Sequence, residues 1–238
     1  MLNCPLCGAR QRTVGSSEKK IKVQEKDFQT ARMHYVSMIH FRTGSILSVA
    51  GYAISLLLLI LLIYIDGFMQ TGSFPVQMWI FFLILLIIVI IMAINIIEMY
   101  FYAKSFRIMN NIGYTNFSLP YTGTIILIFT EILSIFGVLY YINLIGTITT
   151  QIQQSFLFLA VFVLVILLLW FIGQVCLLTG MWRMCLVYDS TLMRSGVWAT
   201  VLFSIIFPVL PFLGPILLSI SSNDIVQGME YELEKMVV

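Results

Sequence analysis

"VQMWIFFLILLIIVIIMAINIIEMYFYA", residues Val76–Ala103, carries one charged side chain, Glu98, with Gln77 and Asn95 as its side-chain amides. About 20 helical residues suffice to cross the roughly 30 Å of hydrocarbon in a bilayer, so this run is long enough to span one. A helix is also the form forced on it, because oil offers no partner to unpaired backbone N–H and C=O groups.

Working outward, comparable runs occupy Thr43–Ile65, Leu119–Gly146, Ser155–Met181 and Gly196–Ser221. The whole chain of 238 residues is 60% hydrophobic and only 10% charged, where a soluble domain carries about 25% charge. The expectation is an all-α, polytopic membrane bundle of about five transmembrane helices (43–221). Before it come a CxxC knuckle (1–12), a flexible linker (13–24) and an amphipathic cytosolic helix running into the first span (25–42). An acidic tail (222–238) follows. No basic stretch followed by a short apolar run opens the chain, so a cleaved signal peptide is not expected. A formal net charge of +2 gives no field for nucleic acid.

Positive charge sets the expected orientation. Arg10, Arg12, Lys19, Lys20, Lys22, Lys26, Arg32 and Arg42 precede the first run, Lys104 and Arg107 follow the second, and Arg183 and Arg194 follow the fourth. The loops 66–75 and 147–154 have no basic residue. The positive-inside rule then predicts a plasma-membrane protein with a cytoplasmic N-terminus. Five crossings would leave the C-terminus outside. The fifth run is the doubtful one, because "IIFPVLPFLGPILL" contains Pro208, Pro211 and Pro215. Each proline removes a backbone donor and crowds the preceding turn, so a re-entrant segment is the alternative to a true span.

A shift of 79 residues pairs Thr43-Gly44-Ser45-Ile46 with Thr122-Gly123-Thr124-Ile125, Ser55 with Ser134, Asn95 with Gln174 and Lys104 with Arg183. The units would be two helix pairs in parallel repeat, unless helix ends simply share such residues. Small residues recur at helical spacing: Gly44, Ser48, Gly51 and Ser55; Gly123, Thr130, Ser134 and Gly137; Gly173, Cys176 and Gly180. Such stripes let helix backbones approach closely.

Glu131 falls near mid-bilayer with no basic residue at its depth. A charge there costs several kcal/mol, so the neutral acid is expected. It is either a carrier of protons or cations, or a structural acid bonded to Ser55, Tyr52 or a carbonyl. Asn95 and Gln174, each nine positions before a basic residue, could join Glu131 and Ser55 in one intramembrane polar site. Amides also serve as plain interhelical glue. Glu98, closer to Lys104 and Arg107, reads as an interface residue.

Cys4-Pro5-Leu6-Cys7-Gly8 has the form of half a zinc knuckle, and tetrahedral zinc wants two further N or S ligands. Cys176 and Cys185 are nine residues apart, about 13 Å along a helix, too far for one ion. A second protomer's knuckle, or His34 or His40, could complete the set; a metal-free pair is the bland alternative. Between knuckle and membrane, Phe28, Ala31, Tyr35, Met38 and Arg42 form a stripe. It would extend the bundle, lie on the membrane surface or pair with a second copy.

The CPxCG knuckle, with "TGSIL" and "SFRIMNNIGYTNF…YTG", resembles an uncharacterised archaeal family of multi-pass membrane proteins, a domain of unknown function. The resemblance covers roughly residues 40–220 and implies a helical membrane fold without an activity or cofactor. No HExxH, GxSxG or Walker-type motif occurs, so an enzyme is not expected. The favoured reading is an accessory, assembly or scaffold component in the lipid bilayer, engaging a second copy or another membrane protein. The competing one is a small transporter or channel with a polar path at Glu131.

Overall fold

The fold is that of a computed structural model, which describes residues 17–69, 74–146, 152–206 and 213–237. Cys4, Cys7, the first part of the linker and the prolines at 208 and 211 lie outside the described residues. The elements are α1 (Ser17–Met69), α2 (Phe74–Asn111), a 3-10 turn (Thr115–Phe117), α3 (Ser118–Gly146), α4 (Ile152–Val187), α5 (Thr191–Ile206) and α6 (Leu213–Val237). Four of these, α1 to α4, are long and apolar enough to cross a membrane.

α1 is a single rod of 53 residues, about 80 Å long. It fuses the expected 25–42 helix with the first span and also takes in residues 17–24, which were expected to be linker. The segment "SEKKIKVQEK" is rich in Glu, Lys and Gln, good helix formers, and it continues a helix already nucleated by packing. The stripe of 25–42 is used within the chain. Met38 and Phe41 are fully buried, Ser37 Oγ lies 3.0 Å from Ser105 Oγ, and Arg42 donates to Asn223 Oδ1 at 3.0 Å. The stripe therefore extends the bundle.

α2 also outruns its expected limit, ending at Asn111. Gly113, at φ +108°, takes a left-handed turn that suits glycine, and Tyr114 N–H bonds back to Met109 O at 3.3 Å. The chain then reverses into α3.

The fifth apolar run departs from the expected single crossing. It is two helices, α5 and α6, lying antiparallel. Ser190 Oγ, which accepts from Met193 N–H at 3.2 Å to cap α5, stands 2.7 Å from Ser221 Oγ. Further along, a Cβ on Gly196 would meet Leu218 at 3.0 Å, and one on Gly214 would overlap Thr200. Proline supplies the reason. Pro215 falls in the first turn of α6, where a missing N–H is not needed, and in the sequence Pro208 comes two positions after Ile206, the last residue of α5. With 16 residues, α5 is about 24 Å long, short of a crossing.

α6 then runs antiparallel to α1, with Pro215 and Leu218 near Ser48 and Ser55 and Asn223 beside Arg42. Of the tail 222–238, expected on the far side, residues 222–237 instead continue α6 at the end that holds Arg42. That fold-back brings Lys235 to the same end as the other basic residues.

The helices form a ring. α1 packs on α2 and α6, α2 on α3, α3 on α4, α5 on α6, and α4 more lightly on α5, so the hairpin stands between α4 and α1. The buried core lies toward the basic end, where Phe41 meets Tyr102 edge-on at a centroid distance of 5.4 Å and Tyr102, Phe106 and Phe117 stack in series at 6.3 and 5.9 Å. Met109, Met184 and Met193 fill the spaces around them. Away from this core, Leu57, Phe82, Leu86, Leu164 and Phe171 are exposed. Such continuous apolar surface is suited to lipid chains and unsuited to water.

Candidate functional site

The polar residues of the spans converge. A cavity of about 230 Å³ is lined by Ser48, Tyr52 and Ser55 of α1, Asn95 and Glu98 of α2, Glu131 of α3, Gln174 of α4, Thr200 of α5, and an apolar remainder that includes Trp170, Met181, Pro215 and Leu218. Glu131, Asn95, Gln174 and Ser55, expected from sequence to share one site, all line it. Their convergence follows from their depth: Asn95 and Gln174 stand nine residues before Lys104 and Arg183, about 13 Å along each helix.

Within the cavity wall, Asn95 Nδ2 donates to Glu131 Oε1 at 3.4 Å. This amide lies against α1 at Gly51, where a Cβ would make an ordinary contact with Asn95 Oδ1 at 3.4 Å. Ser55 Oγ donates to Gly51 O at 2.9 Å, and Ser134 bonds back to Thr130 O in the same way.

Glu98 corrects the sequence reading. It is 6% exposed, and Ser48 Oγ donates to its Oε1 at 2.5 Å. It therefore belongs to the cavity wall, where an interface residue neutralised by Lys104 or Arg107 was expected. The signal was present in the sequence: Asn95 and Glu98 are three apart and so share a helix face. The hydroxyl of Ser48, on the small-residue face of α1, is the missing partner.

Residues paired by the 79-residue shift meet around the cavity, although α1 and α3 differ in length. α2 begins at Phe74 and α4 at Ile152, within a residue of that offset. The pairs Ser48 and Leu127, Tyr52 and Glu131, Asn95 and Gln174, Glu98 and Leu177, and Met99 and Leu178 all line the same cavity. Each hairpin supplies one carboxyl, but from non-equivalent positions.

The remaining candidates fall elsewhere. His34 Nδ1 lies 3.1 Å from Tyr188 Oη, with the rings of Tyr114 and Tyr188 edge-on to it. Burial holds the His34 pKa below its ordinary value. His40 lies against Phe101, and its Nδ1 is buried without a hydrogen-bond partner. Cys185 is buried and donates to Met181 O, while Cys176 packs against Gly123. Among the described residues, no three His, Cys, Asp or Glu side chains are grouped to hold a metal ion.

Chemically, the cavity offers two carboxyls, two amides and several hydroxyls beside apolar side chains, and its wall includes the α5–α6 hairpin, which is outside the four helices long and apolar enough to cross a membrane. No protein-family model, curated protein or solved structure matches the chain.

Proposed function

We propose that the protein is a small membrane carrier or channel whose polar path runs through the cavity at Glu98 and Glu131, with both the N-terminal part of α1 and the end of α6 in the cytoplasm. The cavity carries this reading. Polar groups in a bilayer are costly and are kept where they pair or line a passage, and broken helices at membrane depth are tolerated where they border a cavity. The α5–α6 hairpin enters from the basic end and contributes Thr200, Pro215 and Leu218 to the wall. Cytoplasmic placement of that end is supported by charge: with the tail folded back, Lys, Arg and the positive-inside rule agree throughout the chain.

The scaffold reading rested on the knuckle and the 25–42 helix. Ala31 and Met38 of that helix are already buried in this chain, which leaves less of its apolar stripe for a partner. Zinc at Cys4 and Cys7 is a separate proposal, tested by the metal content of purified protein against Cys4→Ser/Cys7→Ser. No catalytic role is proposed.

Reconstitution in liposomes tests transport. Proton or cation flux above that of empty vesicles is expected, with loss of about tenfold or more in Glu131→Gln. Flux indistinguishable from protein-free vesicles, or unaltered by the substitution, would overturn the proposal.

A further inference from the structure

We infer that the cavity takes a small organic cation, an ammonium group bearing short alkyl substituents; this deepens the carrier reading and rests on it. The lining selects the charge. Glu98, Glu131, Asn95 and Gln174 offer acceptor oxygens from three helices, and among the described residues no Lys, Arg or His is part of the wall. An anion would meet carboxyls and no cation.

Size and wall chemistry select the kind of cation. Pockets for drug-sized ligands begin at about 300 Å³, so about 230 Å³ suits something smaller. The same space equals about eight waters at roughly 30 Å³ each, which is far more than one dehydrated metal ion fills. Hard inorganic cations need oxygens converging at roughly 2.0–2.6 Å. Here one carboxyl already accepts from Ser48 and the other from Asn95, on different helices. Much of the remaining wall is apolar, with Leu127, Leu178, Met181 and Leu218 to meet alkyl groups. Trp170 and Tyr52 add aromatic rings, the side chains that favour ammonium ligands.

The exchange balances. A carboxyl in hydrocarbon is neutral when the site is empty. When the cation enters, one carboxyl gives up its proton to water and becomes the counter-ion. One positive charge enters, one leaves, and no net charge is left in the bilayer. Such a site couples cation binding to proton release.

The test uses the full-length protein in lipid nanodiscs and calorimetric titration with tetramethylammonium chloride and ethylammonium chloride, against NaCl and KCl at equal ionic strength. Repeating it in two buffers of different ionisation enthalpy counts the protons released. Saturable binding of an ammonium with about one proton released is expected. Affinity should fall roughly tenfold or more in Glu98→Gln or Glu131→Gln, and further in Trp170→Leu than in Trp170→Phe. Each variant is used only if it keeps a cooperative melting transition, and Gln174→Leu, which removes an amide and no acid, serves as a second probe of the wall. No saturable heat with either ammonium at tens of millimolar would overturn the inference. Equal heat from NaCl would do the same, as would unchanged binding in both Glu→Gln variants. Glutamate-dependent flux without ammonium binding would sink the inference and leave the carrier reading standing. Ammonium binding without flux would uphold the site and remove the carrier.

Discussion

The two helix pairs, α1–α2 and α3–α4, rely on different means of adhesion. α1 and α2 are joined by polar bonds: Ser37 with Ser105, Ser48 with Glu98, and Tyr102 Oη donating to Ser45 Oγ at 3.2 Å. In α3, the hydroxyls of Thr124, Thr130 and Ser134 bond to carbonyls of their own helix. There the glycines do the joining. Gly123 lies against Cys176, and Gly173 against Leu127 and the Gly123 carbonyl. Lipid tails give helices no hydrophobic reason to associate, so association comes from close packing or from interhelical hydrogen bonds. One chain uses both, and the cavity lies where the two kinds of pair face each other.

Within the two pairs, the largest effect is expected at the tightest contact between helices. A Cβ on Gly123 would run into Cys176, and no flexible side-chain end is available to give way. Gly123→Ala should cost about 3 kcal/mol. Gly44→Ala should cost less, because its Cβ would meet the Tyr102 ring at 3.0 Å and the ring can shift. Thermal unfolding in detergent compares them, and Gly123→Ala/Cys176→Gly should recover part of the loss. Equal costs at the two glycines would break the contrast between the pairs.

Next comes the polar seam. Ser48→Ala removes the hydroxyl that Glu98 accepts from and should cost about 1–2 kcal/mol, since a buried acceptor loses its partner. Ser48→Leu/Glu98→Leu gives α1–α2 the residues found at the paired positions Leu127 and Leu177. Replacing both partners by apolar groups is far gentler than orphaning one, so the double variant should be closer to wild type than Ser48→Ala. A double variant less stable than the single would show that the seam cannot be exchanged for packing.

The smallest effect lies at the basic end, where His34 of α1 meets Tyr188 beyond α4. Burial lowers the His34 pKa from 6.5. The unfolded chain therefore takes up this proton at higher pH than the native one. Stability is full above that ordinary value and is lost as pH falls through the lowered one. Melting temperature followed from pH 8 to pH 5 should drop on the acid side, and His34→Gln should flatten part of the drop. His40, also held low by burial and by Lys104, should leave a residual slope. An identical profile in wild type and His34→Gln would remove the coupling between the pairs at this point.

Much of the fold follows from local chemistry. Apolar length gives α1 to α4 directly, because oil forbids any other backbone solution for such runs. Depth counted from basic anchors places Asn95 and Gln174 in one layer, and the position of Glu131 along the third run places it near mid-bilayer beside them. Glu98 escaped because its distance to Lys104 suggested the interface, and distance along one helix says nothing about Ser48 on another.

The sequence by itself determined that the chain lives in a bilayer, which end carries the positive charge, and which polar residues share a depth. Tertiary structure decided the rest. Proline chemistry at 208, 211 and 215 permits either a kinked crossing or a reversal, since both satisfy the same local rules. The reversal is fixed by contacts between residues far apart in the chain, Ser190 with Ser221 and Arg42 with Asn223. Those pairings form only once the helices have packed, and they bring the α5–α6 hairpin to the wall of the cavity.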